Sequence, residues 1–94
     1  MITRDTIAKI LDTARIEDVV GDFVNLKKNG SILKGLCPFH NERTPSFVVN
    51  PNKNIFKCFG CGVGGDSVSF VMELEKMTFP EALRYLAQKY HPIF

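Results

Sequence analysis

Cys37, His40, Cys58 and Cys61 form two pairs, each with two residues between its partners. The first reads Cys-Pro-Phe-His and the second Cys-Phe-Gly-Cys, with Asn41 to Lys57 between them. Thiolate sulfur and neutral imidazole nitrogen suit tetrahedral zinc, at roughly 2.3 and 2.0–2.1 Å. A two-residue gap lets both members of a pair leave one tight turn in the same direction. Two such turns facing each other across a small sheet would close a zinc site. Pro38 stiffens the first turn, and Gly60 and Gly62 permit unusual backbone angles in the second. Three thiolates and one neutral His around a dication leave a formal charge of about −1. All four positions would be filled by protein, so the expected ion is one structural Zn2+, not a catalytic one.

Other uses of these residues fit less well. A disulfide framework would leave one of the 3 cysteines unpaired. A thioredoxin-like Cys58–Cys61 pair would open a helix after a strand, whereas Gly62-Val63-Gly64-Gly65 follows here. The second histidine, His91, stands beside Pro92 near the end of the sequence and reads as a solvated tail residue. It would matter only if it replaced His40 as a ligand.

A polyanion is the expected partner of the region around these ligands. From Phe23 to Gly65 the bases are Lys27, Lys28, Lys34, Arg43, Lys53 and Lys57, and the one acid is Glu42. This stretch carries a net +5, while the flanking segments bring the chain to +2. A basic sheet between mildly acidic helices has the charge footprint of a nucleic-acid binder. Phe39, Phe47, Phe56 and Phe59 are interleaved with the bases. Phe39 and Phe59 are expected to pack around the metal. Phe47 or Phe56 could instead stack on unpaired bases, each worth roughly 1–3 kcal/mol.

The elements that must position these groups are legible from periodicity. Ile7, Ile10, Leu11 and Ala14 recur at helical spacing after a candidate N-cap, Thr3. Ile16, Val19, Val20 and Phe23 repeat the pattern in a second, short helix that Gly21 should end. Val24–Leu26 and Leu33–Leu36 flank Asn29-Gly30, a hairpin signal. Ser46–Asn50 and Ile55–Lys57 flank a turn around Pro51, with Phe56 on the opposite face from Ile55 and Lys57. Beyond Asp66 the pattern is helical again. Phe70, Val71, Leu74 and Met77 form one stripe, and Thr78-Phe79-Pro80-Glu81 has the form of a capping box. The last helix presents Phe79, Ala82, Leu83, Leu86, Ala87 and Tyr90. The expected class is α+β: a zinc ribbon with a small antiparallel sheet, flanked by N- and C-terminal helices. At 94 residues the chain reads as one domain, 1–94, whose limited core gains from a metal staple. No run is long enough to span a membrane. Reduced cysteines and the absence of an apolar leader in MITRDT point to the cytoplasm.

Two longer runs carry a family resemblance. Gly35-Leu36-Cys37-Pro38-Phe39-His40-Asn41-Glu42-Arg43-Thr44-Pro45-Ser46-Phe47 resembles the N-terminal zinc-binding domain of bacterial replicative primases of the DnaG type. Phe56-Lys57-Cys58-Phe59-Gly60-Cys61-Gly62-Val63-Gly64-Gly65-Asp66 is similar to that family's second knuckle. The resemblance extends from the first helix to near Tyr90. It implies zinc on Cys37, His40, Cys58 and Cys61, and binding of a single-stranded DNA template that helps select the initiation site for primer synthesis. It also implies a separate catalytic domain in the same molecule or a neighbour, and a replicative helicase met only through the full-length protein. Lys28, Lys34, Lys53 and Lys57 lie on the segment that faces DNA in the family, and Arg43 is an implied phosphate contact. Leu33 departs from the pattern, because relatives usually carry an aromatic residue there.

The chain lacks the marks of a polymerase. The family's catalytic domain holds magnesium on clustered acids, and no Asp-x-Asp pair occurs here. Glu73-Leu74-Glu75 falls in an expected helix, where residues two apart face different ways. No Lys-Ser/Thr follows Gly62–Gly65, so these glycines read as turn residues rather than a phosphate loop. Two further readings stay open: a free-standing primase-like zinc finger of a mobile element, and a protein-docking module without nucleic-acid binding.

Overall fold

Thr3 opens the first helix: its Oγ1 accepts the Thr6 N–H at 3.2 Å, and α1 runs Arg4–Thr13. The computed structural model describes residues 3–41 and 44–90. Helix α2 follows at Ile16–Gly21, with Ile16, Val19 and Val20 fully buried. Five short strands come next: β1 (Lys27–Asn29), β2 (Ile32–Gly35), β3 (Phe47–Asn50), β4 (Ile55–Cys58) and β5 (Gly64–Gly65). They pair antiparallel in chain order, forming a single meander. Helix α3 covers Ser67–Glu75, capped by the Asp66 carboxylate on the Ser69 N–H at 2.9 Å. Helix α4 covers Phe79–Lys89 behind the expected capping box, in which Thr78 and Glu81 bond each other's backbone N–H. Among the described residues, no helix is long and apolar enough to cross a membrane.

The first hairpin differs from its sequence expectation. Its loop is Gly30-Ser31, since Asn29 pairs with Ile32, and the strand preceding it is Lys27–Asn29, not Val24–Leu26. Gly30 takes φ +67°, a left-handed value that glycine adopts without steric cost. Val24 to Leu26 instead cross over the end of β2. A side chain at Gly35 would meet Val24 Cγ1 at 2.9 Å and the Asn25 carbonyl at 3.0 Å, so only glycine admits the crossing. Gly64 and Gly65, read as turn residues, form the short edge strand β5 against Phe56 and Lys57.

Register divides the sheet into two faces. Leu33, Val49 and Phe56 align on one face, with Gly35, Phe47 and Cys58 one step along. The helices pack here. Phe47 and Phe56 stack at 5.4 Å, and Phe70 of α3 meets Phe56 edge-on, also at 5.4 Å. Ile10, Val19, Val20, Val71, Leu83 and Leu86 complete the core. Each large apolar side chain so buried contributes about 1.5–3 kcal/mol. Phe79 and Phe23, counted as core faces by periodicity, remain 44% and 41% exposed. They lie at helix boundaries, where a periodic stripe runs past the surface it covers.

One residue ties the N-terminal helices to the sheet. Asn54, in the turn after β3, holds φ +58°. Its Oδ1 accepts the Ile16 N–H at 2.7 Å, and its Nδ2 donates to the carbonyls of Ala14 and Leu11 at 3.3 and 3.4 Å. The Arg15 guanidinium also donates to the Pro51 carbonyl. The α1–α2 corner thus has its open backbone groups satisfied by the β3–β4 turn. Asn54→Ala should lower stability by about 1–3 kcal/mol, through lost bonds and left-handed strain. Asn54→Gly should lose less, because it removes the strain while losing the same bonds. Thermal melts of the two variants check this, and wild-type melting in both would remove the clamp from the account.

Candidate metal centre and basic sheet face

The two ligand turns stand at one end of the sheet because β2 and β4 both run out there. Cys37 lies two residues past Gly35, and Cys58 is the last residue of β4. Backbone bonds shape the second knuckle. The Gly62 N–H donates to the Cys58 carbonyl at 2.8 Å, and the Cys58 N–H donates to the Val63 carbonyl at 2.8 Å. In the first knuckle, the Phe39 N–H points at Cys37 Sγ from 3.4 Å. The ligand atoms of Cys37, His40, Cys58 and Cys61 all lie within 4.8 Å of one another. Cys37 Sγ and Cys61 Sγ are 3.9 Å apart. Zinc–sulfur bonds of roughly 2.3 Å in a tetrahedron require sulfurs about 3.8 Å apart, so the residues fit the ion. Among the described residues, no other group of His, Cys, Asp or Glu converges in this way.

The two buried thiols differ in acidity. Burial pushes Cys37 up to about 12, the Cys58 and Cys61 thiols add to this, and the Phe39 N–H only partly opposes it. Burial also pushes Cys58 upward, but the backbone N–H groups of Cys61 and Gly60, the Ser46 hydroxyl and the Cys37 thiol outweigh it, and Cys58 is lowered to about 7. Cys58 is therefore the readier thiolate. A bound cation would have to supply the field that ionises Cys37.

The aromatic residues reverse their expected roles. Phe47 and Phe56 are 0% and 2% exposed, so neither offers a face to an unpaired base. They alternate inward with Val49, where the helices cover the sheet. Phe39 reaches from the first knuckle into the same cluster, 5.6 Å from Phe70. Phe59, expected beside the metal, is 72% exposed. Its N–H still donates to the Ser46 carbonyl at 3.0 Å, one step beyond the β3–β4 ladder. Phe59 sits in the turn just past β4, two residues beyond Lys57. Leu33 pairs with Val49 and packs on the core, away from any stacking position.

The bases divide by face as well. Lys27 pairs with Lys34, Lys34 with Val48, Val48 with Lys57, and Lys57 with Gly64. Directly opposed residues share a face, so Lys27, Lys34 and Lys57 form one transverse row on the outer side. Lys28 pairs with Leu33 and belongs to the other face of the edge strand β1. Lys53 is exposed in the turn between β3 and β4. Arg43, with Glu42, and His91 lie outside the described residues. Lys27 was missing from the sequence candidates, although a two-residue hairpin loop with period-2 alternation pairs it with Lys34. No local signal distinguished Phe59 from Phe56. Away from the sheet, three ion pairs form: Arg15 with Glu17, Lys76 with Glu73, and Lys89 with Asp22.

Cys58→Ser should lose stoichiometric zinc and much of the sheet, since structural zinc contributes folding free energy directly. His40→Cys should keep the metal, because four-thiolate sites are stable. Native mass spectrometry with thermal melting reads both. A Cys58→Ser chain that retains zinc and its melting temperature would refute the ligand assignment.

Comparison with known proteins places this geometry. Residues 2–93 match the CHC2 zinc finger family. A DNA primase of Mycobacterium tuberculosis is 56% identical over 84 residues, covering 88% of this chain and 13% of the relative. A DNA primase of Clostridium acetobutylicum is 48% identical over 89 residues, covering 95% of this chain and 15% of the relative. The crystal structure of the Aquifex aeolicus primase, comprising zinc-binding and RNA polymerase domains, superposes with a TM-score of 0.86. It is 47% identical and covers 90% of this chain and 21% of that one. The chain thus spans about 13 to 15% of the length of these curated relatives. A match over nearly every residue, joined to a converged Cys-His-Cys-Cys cluster, shows that the chain belongs to the CHC2 zinc finger family, the zinc-binding domains of DnaG-type DNA primases.

Proposed function

We propose that this chain binds single-stranded DNA template across its outer sheet face and helps choose where primer synthesis begins. The observation that carries the reading is the row of Lys27, Lys34 and Lys57, aligned in register on the face that no helix covers. The outer row has no acidic partner among the described residues, which leaves the three ammonium groups to backbone phosphates. The exposed Phe59 ring, in the turn just past β4, is a stacking platform for one base. Lys53 and Lys28 extend the basic surface beyond the row, and Arg43 is a further candidate phosphate contact from the sequence.

One structural zinc holds this surface in place. Four protein ligands leave it no open coordination position, so its role is folding rather than catalysis. The unit 1–94 works with a primase catalytic domain, in the same molecule or a neighbouring one, and reaches a replicative helicase only through the full-length protein. Nucleotide transfer belongs to that other domain. Replication places the activity in the bacterial cytoplasm.

Fluorescence anisotropy with a labelled oligonucleotide, titrated across salt, tests the reading. The log–log slope should be roughly −0.7 per phosphate neutralised, and Lys27→Ala or Lys57→Ala should each reduce its magnitude by about 0.7. Arg84→Ala, on the exposed side of α4, should change nothing. Phe59→Ala should weaken binding by roughly 1–3 kcal/mol and leave the slope alone. Salt-independent affinity, indifferent to the lysine variants, would defeat the reading. Failure to bind DNA even at low salt would point to a docking module instead.

A further inference from the structure

A groove of about 770 Å³ opens where the lysine row meets the first knuckle. It lies within the roughly 300–1,000 Å³ range of clefts that enclose small ligands. Among the described residues its charged lining is Lys27, Lys28 and Lys34, with no carboxylate. Its apolar walls include Leu36, Pro38 and Pro45. Leu36 is half exposed, although it adjoins the ligand Cys37. Asn25 stands at the crossing over Gly35, exposed on the groove's rim.

We propose that this groove takes one unstacked nucleotide of the bound strand and reads its base. The inference rests on the single-strand reading above and adds a site to it. Lys27 and Lys34 belong both to the sheet row and to the groove, so a strand held along the row passes the groove mouth. Because β1 is an edge strand, Lys28 from its other face lines the same groove. Three cations without an acid suit the phosphates on either side of a splayed base. Leu36 and the two prolines offer apolar surface to the base itself. The Asn25 amide has donors and an acceptor in one plane, the combination that distinguishes base edges. Sequence-specific contact with a single strand commonly takes this form, an unstacked base with its edge bonded. Pro38 lies between Cys37 and His40 in sequence, so a closed metal site would steady one wall of the groove.

The test uses the zinc-loaded chain and two single strands of equal length, one ordinary and one with abasic sites throughout. Backbone amide shifts are followed by NMR. The ordinary strand should shift Asn25, Gly35 and Leu36 together with Lys34 and Lys57, and the abasic strand should shift only the lysine row. Asn25→Ala should lose roughly tenfold in affinity for its preferred homopolymer, flatten the preference among the four homopolymers, and leave abasic binding unchanged. If both strands shift the row alone, or inorganic tripolyphosphate reproduces the groove shifts, the base site is overturned and the single-strand reading stands. If neither strand moves the row, both are overturned.

Discussion

Everything in this chain depends on four side chains meeting at one end of a very small sheet. Strands of two to four residues do not hold together by ladder hydrogen bonds alone. Here β2 and β4, separated by β3, each end in a turn that delivers two ligands to the same point. A metal at that point would tie residue 37 to residue 61 and fix the pitch of the sheet. The tie is also coupled to the core. Phe39 sits between two ligands in sequence and leans on Phe47, Phe56 and Phe70 in space. The first knuckle cannot move without disturbing the aromatic cluster.

The second organising constraint is pleat alternation. Phe56 and Lys57 are neighbours in sequence and face opposite environments. One anchors the helices and the other joins the basic row. The same division gathers Lys27, Lys34 and Lys57 on one face, where no acidic partner stands among the described residues. A row of cations with no acidic partner among the described residues is electrostatically unfavourable for folding and suited to a polyanion. A metal held by Cys37, His40, Cys58 and Cys61 would offset that repulsion.

Much of the local structure was legible from residue types. The Thr3 and Thr78 caps, the α2 stop near Gly21 and the β3–β4 hairpin all follow from local chemistry, which acts within a few residues and needs no distant partner. The convergence of Cys37, His40, Cys58 and Cys61 was legible for a similar reason, since two-residue spacing is itself the geometry of a knuckle. The first hairpin was misplaced because Val24 to Leu26 look like a strand locally. Their contacts are with Gly35, and that crossing is tertiary. The Asn54 clamp left no sequence signal, because its partners lie about forty positions away.

By itself, the sequence determined the chemistry available: a Cys-His-Cys-Cys metal set, a net-positive middle segment, and helices whose apolar stripes must find a sheet. Only the tertiary structure decided which groups face out. Phe56 and Phe59 have the same side chain and stand within two residues of Lys57. Phe56 is buried because it lies on the face of β4 that Phe70 of α3 covers, whereas Phe59 lies past the strand in the second knuckle and stays exposed. Lys27 and Lys34 likewise became a row only when the hairpin loop set their register. Burial and register are properties of what packs against a strand, and a strand's own residues do not encode the shape of its partner.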